Sequence, residues 1–120
     1  MDKTHQALQI IAQAIYDKKG MNAITLDLRG ISSLADYFII AEGNVDRHVK
    51  AIAGEVRETL KSLGWQPFHA EGEASGDWIV LDYGEIMIHL FTPELRERYA
   101  LERLWKQSKI VNVKIKESAV

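Results

Sequence analysis

Residues 76–91, GDWIVLDYGEIMIHLF, decide the fold of this 120-residue chain. Two runs of strand-forming residues meet at Gly84-Glu85, and together they predict a β-hairpin with a two-residue loop. The register then runs outward to a final pair in which Trp78 lies opposite Phe91. A hairpin buried on one side alternates apolar and polar residues, whereas this one is apolar on both sides. Both of its faces therefore need something to pack against.

The two faces of this hairpin differ in polar content. The first face is wholly apolar or aromatic and is the predicted core face: Ile79, Leu81, Tyr83, Ile86, Ile88 and Leu90. The second face holds one carboxylate and one imidazole among large apolar side chains: Trp78, Val80, Asp82, Met87, His89 and Phe91. Two interpretations stay open. Either a second helical layer covers this face, or it is a patch that docks onto a partner, since aromatic and Met side chains are enriched at interfaces.

Three helices are predicted around the hairpin. Apolar residues at helical spacing predict one helix over residues 3–19 and another over about 45–63. Asn44 is the expected N-cap of the second helix, and Gly64 its end. Thr92 followed by proline begins a third helix, with the threonine as N-cap.

Three further strands complete the expected sheet. Residues 22–28 alternate, residues 37–43 form a continuous apolar run typical of a strand buried on both faces, and residues 65–71 fit an edge strand. Pro67 cannot donate to a ladder, so a central place for the last strand is disfavoured. The order α-β-β-α-β-β-β-α predicts an α/β (α+β) fold, a mixed sheet of about five strands with helices packed on it.

Length and composition indicate one globular domain. No linker, repeat or low-complexity segment interrupts the chain. We predict a single domain over residues 1–107 and a C-terminal tail over residues 108–120. Alternating apolar residues in that tail fit a short strand or a loose end: Val111, Val113 and Ile115.

Charge and cysteine content exclude several classes of function. The net charge of −2 creates no general attraction for nucleic acid or an anionic membrane. The absence of cysteine excludes disulfides, thiolate catalysis and Cys-ligated zinc. We see no secretory signal and no apolar run near the ~20 residues of a membrane helix, so we expect a cytoplasmic protein.

The chain offers little support for a catalytic or metal site, and we expect no metal, no cofactor and no enzyme activity. Four histidines are far apart and lack ligand spacing: His5, His48, His69 and His89. The turn AEGNVDRHV is similar to a phosphate cradle, but it has one glycine and neither a Walker lysine nor a GxGxxG. Arg47 is more simply a solvated surface residue.

Basic residues gather in the last quarter of the chain: Arg96, Arg98, Arg103, Lys106, Lys109, Lys114 and Lys116. Glutamates interleave with them, which is typical of a solvated, salt-bridged helix face. A local contact with RNA is the alternative interpretation.

Two segments together resemble the ribosomal silencing factors, the Iojap-like family. They are DLRGISSLADYFIIAEGNVDRHVKAIAGEV (27–56) and EGEASGDWIVLDYGEIMIHLFTPELRERYALERLW (71–105). The resemblance runs from about residue 7 to residue 105. It is carried by a DYF-type strand, an RHV helix start, W-(I/V)-V-x-D-x-G and Y-x-L-E-x-L-W. This sequence departs from the family pattern at two positions: the family usually has Thr where Glu42 stands and often Ser where Val45 stands.

The resemblance implies a function. Such proteins have a nucleotidyltransferase-like topology without the catalytic acids, bind the large ribosomal subunit through its protein numbered fourteen, and block joining of the small subunit. Several form homodimers when free, and a mitochondrial branch assists assembly of the large subunit. In this sequence the turn AEGNVDRHV (41–49) offers Asp46 alone, with no Asp-x-Asp after it, which fits the loss of catalysis.

We therefore expect a translational repressor whose second hairpin face meets the ribosomal protein, with ribosomal RNA nearby, or meets a second copy when no ribosome is present. The expected partner-binding residues include two acids that precede the hairpin: Trp78, Val80, Asp82, Met87, His89, Phe91, Glu71 and Glu73. Asp82 would meet a cationic side chain, and His89 would orient that contact. The alternative function is a nucleotidyltransferase-like or nucleotide-binding enzyme, with a direct RNA-binding module as a third.

Overall fold

The computed structural model describes residues 3–104, 106 and 108–116, apart from the side chains of residues 102 and 104. Trp105, the last residue of the quoted segment 71–105, lies outside the described residues. The elements in chain order are α1 (Lys3–Asp17), β1 (Met21–Asp27), β2 (Tyr37–Glu42), α2 (Asp46–Ser62), β3 (His69–Glu71), β4 (Trp78–Asp82), β5 (Ile86–Phe91), α3 (Pro93–Tyr99), α4 (Leu101–Leu104) and β6 (Lys109–Ile110).

These elements form one mixed sheet with helices packed on it. The strand order is β3-β4-β5-β2-β1-β6, in which β2 and β5 are parallel and every other neighbouring pair is antiparallel. The predicted fold class is confirmed, with β6 as a short sixth strand. None of the helices in the described residues is long and apolar enough to cross a membrane.

The hairpin β4–β5 has the register expected from its sequence. Trp78 pairs with Phe91, and Asp82 pairs with Met87 at the loop end. Every side chain of the predicted core face is buried. Helices α1 and α2 cover that face through their apolar stripes, whose most deeply buried members are Leu8, Ile11, Ile15, Val49, Ile52, Val56 and Leu60. The first face of the sheet is therefore the main core.

The second face of the sheet is covered over only part of its width. A smaller apolar cluster forms where α3, α4 and the connector between β1 and β2 (residues 28–36) lie on β1, β2 and the end of β5. Its buried members are Leu26, Leu28, Ala35, Phe38, Ile40 and Phe91. On this second face, the side chains of β3, β4 and the start of β5 stay exposed or half-buried. The interpretation that a second layer covers this face thus holds for one part of it, and for the uncovered part the docking interpretation stays a prediction.

Helix α2 begins without the predicted asparagine cap. Its N-cap is Val45, which has no side-chain cap hydrogen bond. The amide of Asn44 instead donates to Nδ1 of His48 at 2.8 Å. Because Nδ1 accepts, Nε2 carries the proton and donates to the Lys18 carbonyl at 2.7 Å. His48 thus ties the start of α2 to the end of α1, while Gly64, in the left-handed region, ends α2 as predicted.

The third predicted helix is interrupted. Thr92 is its N-cap, as expected, but its side chain makes no cap hydrogen bond. Ala100 adopts a left-handed conformation, with φ of 41°, so the helix ends at Tyr99 and a short second helix follows. Arg96 is buried on α3, which conflicts with a uniformly solvated basic face.

Two segments near the sheet edges differ from expectation. The edge strand predicted over residues 65–71 is shorter than expected. Only β3 forms, and it begins two residues after Pro67. The start of the C-terminal tail is attached: β6 pairs with β1, and the amide of Val111 donates to the Thr25 carbonyl at 2.8 Å. The domain boundary at residue 107 stays a prediction, although sheet pairing continues beyond it.

Candidate docking surface

The open part of the second face is built by three strands. β4 contributes Val80 and Asp82, and β5 contributes Met87, all half-buried. The β3–β4 register places Glu71 opposite Val80, so its carboxylate belongs to the same face. We call these residues, together with Trp78, the open face. It is an apolar strip with carboxylates along it, carried on a rigid sheet.

Trp78 anchors one end of the open face. Its ring lies 4.9 Å from the ring of Phe91 in a stacked arrangement and 4.8 Å from the ring of Tyr99. Its indole Nε1 donates to Nδ1 of His89 at 3.2 Å. The indole is half-buried, so part of its surface is still available to a partner. These contacts fix its orientation before any partner arrives.

His89 lies beneath the open face. It is 5% exposed and sits 4.6 Å from the ring of Phe38. Burial lowers the pKa of His89 to about 4, so the imidazole is neutral near pH 7. Its Nε2 has no hydrogen-bond partner within the described residues. His89 therefore orients Trp78 from beneath the surface, whereas it was expected to be a partner-binding residue that orients the contact of Asp82.

Two other expected partner-binding residues, Phe91 and Glu73, also lie outside the open face. Phe91 is 0% exposed and supports Trp78 from below. Glu73 bonds to Arg57 of α2 at 2.6 Å, and α2 covers the first face, so this carboxylate is directed away from the open face. Hairpin alternation could not reveal either effect, because both depend on elements outside the hairpin.

The two remaining acids are held by local bonds. Oδ1 of Asp82 accepts from the Gly84 amide at 2.8 Å, which fixes the hairpin turn. Glu71 lies 2.6 Å from Nε2 of His69 on the exposed edge strand. Both carboxylates still carry their charge at the surface.

Some exposed apolar residues were missed by the sequence analysis. The connector between β1 and β2 exposes Leu34 (62%) and Ile31, although Ala35 packs into the smaller cluster. Tyr99, whose ring is tilted against that of Trp78, is also exposed. The available signal was the occurrence of Ile and Leu in a segment that otherwise reads as a Gly/Ser connector.

The arrangement is suited to binding and offers no clear chemistry. No group of three metal-ligating side chains occurs among the residues that the structure describes. Asp46, the one acid of the turn before α2, accepts from the Arg47 amide at 2.8 Å. The fold and the open face define a small α/β protein that presents an apolar, acid-rimmed surface.

Comparison with known proteins places the chain in a family. The model of the family described as "Ribosomal silencing factor during starvation" matches residues 1–119. The chain belongs to this ribosomal silencing factor family, which confirms the resemblance. The match also extends past Trp105, so the expectation that the resemblance ends there was wrong.

Individual relatives agree with this assignment. A ribosomal silencing factor of Bacillus subtilis is 37% identical over 106 residues, covering 88% of this chain and 90% of that protein. A mouse protein named for mitochondrial assembly of the ribosomal large subunit is 40% identical over 73 residues, covering 58% of this chain and 32% of that protein. A crystal structure of a Chromobacterium violaceum protein matches with a TM-score of 0.83 and 32% identity, covering 100% of this chain and 94% of the other.

Proposed function

We propose that this protein represses translation in the cytoplasm by binding the large ribosomal subunit, through its protein numbered fourteen, and blocking the small subunit sterically. The family description and the name of the mouse relative both point to the ribosome. The observation that carries the proposal is the open face, because a sheet face with half-buried apolar side chains is costly to leave in water.

Trp78 is the proposed anchor of this contact. Rigid aromatic residues dominate interface energies, and truncating them costs on the order of 2 kcal/mol or more. The rings of Phe91 and Tyr99 hold the indole in place, so little side-chain entropy is lost when it docks. Val80 and Met87 extend the apolar contact along the strip.

Asp82 and Glu71 supply the charge of the contact. Carboxylates at the rim of an apolar patch speed the encounter with a basic partner and fix its orientation. Asp82 keeps a single local bond to Gly84, so its second oxygen can accept from a cation of the ribosomal protein. In the absence of ribosomes, a second copy covers the same strip as a homodimer.

The proposed action is steric and needs no enzyme activity. The alternative nucleotidyltransferase-like enzyme would need paired carboxylates for magnesium, whereas the turn before α2 offers Asp46. Magnesium-dependent pyrophosphate release that Asp46→Ala abolishes would favour that alternative.

Cosedimentation with purified large subunits tests the proposal. Wild-type protein should pellet with the subunits, and both Trp78→Ala and Asp82→Ala should weaken binding more than tenfold. Leu63→Ala is the matched control, because Leu63 is an exposed apolar residue beside α2, away from the open face. Normal binding by both test variants, in folded form, would exclude the open face as the docking surface.

A further inference from the structure

The basic residues of the last quarter of the chain divide into two groups. On α3, Arg96 lies 3.3 Å from Glu42, and Arg98 lies 3.7 Å from Glu94, so these cations have acidic partners. Further along, Lys109, Lys114 and Lys116 are exposed. Within the described residues, no carboxylate forms a salt bridge with any of these three lysines. Among the described residues, Lys114 and Lys116 thus face no acidic partner, whereas Lys109 shares Asp27 with Arg29.

These lysines belong to a segment that is fixed at both ends. We call residues 109–116 the C-terminal strap. It begins as β6, paired with β1, and Val111 packs against the main core. At its far end, Gln13 of α1 donates to the Lys116 carbonyl at 3.0 Å and accepts from the Lys116 amide at 2.8 Å. A strap held in this way presents its side chains in a defined order.

The strap alternates between inward and outward side chains. Val111, Val113 and Ile115 are half-buried, whereas Asn112 and the last two lysines are exposed. At ~3.3 Å per residue, alternate side chains on extended backbone lie about 7 Å apart on one side. The outer side of the strap therefore carries Asn112, Lys114 and Lys116 in a row, whereas Lys109 lies at the start of β6, opposite Asp27.

Another cation lies near the β6 end of this row. Arg29 bonds to Asp27 at 2.8 Å, and Asp27 is paired in register with Lys109. One carboxylate thus stands between two cations, which leaves positive charge at this edge of the sheet. At the opposite end of the strap, the carboxylate of Asp17 accepts a hydrogen bond from Gln13 at 2.9 Å, so the hydrogen bonds around Gln13 also include an acid.

We propose that the outer side of the C-terminal strap binds the phosphate backbone of RNA, with Lys114 and Lys116 as the phosphate contacts. The inference rests on the proposed function, since a ribosomal subunit supplies the RNA. Lysine is a strong point-charge partner for phosphate, and charges in a row suit a backbone with repeated anions. The contact is independent of base sequence, and it adds a second point of attachment at the edge of the sheet opposite the open face.

Deproteinised large-subunit RNA tests the strap directly. Binding of the full chain is measured at several salt concentrations for wild type, for Lys114→Gln/Lys116→Gln and for the control Lys50→Gln/Lys61→Gln. The control removes two exposed lysines of α2. The test variant should bind on the order of tenfold more weakly at low salt, and its slope of log affinity against log salt should shrink by roughly 1.5. The control should resemble wild type.

Two further arms separate this inference from the proposed function. Both double variants should bind the isolated ribosomal protein numbered fourteen as well as wild type does. If wild type binds the RNA through the strap but not that protein, the proposed function fails and the strap inference holds. Equal RNA binding and equal salt slopes for the test and control variants would overturn the strap inference. So would strap-dependent binding to anionic lipid vesicles with none to RNA.

Discussion

The indole Nε1 of Trp78 donates a hydrogen bond to Nδ1 of His89 at 3.2 Å, across neighbouring strands of the hairpin. Trp78 lies partly at the surface and His89 lies beneath it. Because Nδ1 accepts this bond, the imidazole is neutral and carries its proton on Nε2. His89 thus supports Trp78, the anchor of the proposed docking surface. Several consequences of this arrangement can be measured.

Because of His89, the folded protein should become less stable as the pH is lowered. In the folded protein, burial lowers the pKa of His89 to about 4, whereas in the unfolded chain the pKa of this histidine is near 6.5. Between these values the unfolded state binds the proton and the folded state does not, so stability declines as the pH falls from about 6.5 to about 4. The loss attributable to this group is at most about 3 kcal/mol.

Urea unfolding at pH 7 and pH 4.5 measures this effect. His89→Gln cannot titrate but can accept from Trp78, so it should lose less stability over this range than wild type does. Identical pH dependence for wild type and His89→Gln would contradict the assignment.

The two faces of the hairpin should respond differently to truncation. Ile88→Ala opens a cavity in the main core, where the side chain is 0% exposed, and should cost roughly 2–5 kcal/mol of unfolding free energy. Val80→Ala removes a half-buried group from the open face and should cost clearly less. Chemical denaturation compares them, and equal losses would mean that the open face is also core.

Arg96 and Glu42 form a pair that α3 holds against the end of β2. Their side chains are 10% and 12% exposed, and Arg96 also donates to the Asn22 carbonyl. Arg96→Ala leaves a carboxylate poorly solvated and should cost about 3–5 kcal/mol. Arg98→Ala, on the same helix but in an exposed pair, should cost less than about 1 kcal/mol. Thermal melts decide the comparison, and similar losses would show that burial of the first pair has no energetic weight.

The C-terminal strap should loosen when Gln13 is changed. Gln13→Ala removes both bonds to the backbone of Lys116 and should allow its amide to exchange with solvent at least several-fold faster. Amides of β4 and β5 should be unaffected. Unchanged exchange at Lys116 would mean that the strap is held by its apolar side chains alone.

The sequence was most informative where structure is local. The turn at Gly84-Glu85 determines the hairpin register, and helical spacing located α1 and α2, because both signals arise from near neighbours along the chain. The fold class followed from the order of these elements. The short strand β6 was left open, because two residues paired with β1 carry little periodic signal.

The open face was predicted only in outline. Alternation separated the two faces, but it could not show that α3 and the β1–β2 connector cover Phe91 and leave Val80 uncovered. Nor could it show that Glu73 is bonded to Arg57, since that contact depends on how the loop between β3 and β4 lies beside α2. Asn44 failed as a cap for a similar reason, because His48 of α2 occupies its backbone amide.

A subunit-joining assay tests the central claim most directly, with light scattering of separated large and small ribosomal subunits as the readout. Wild-type protein should reduce joining, and Val80→Glu, which places a charge in the middle of the open face, should abolish that effect while the protein stays folded. Leu63→Glu, an equal change at an exposed site beside α2, should inhibit as wild type does. Full inhibition by folded Val80→Glu, or none by wild type, would contradict the account.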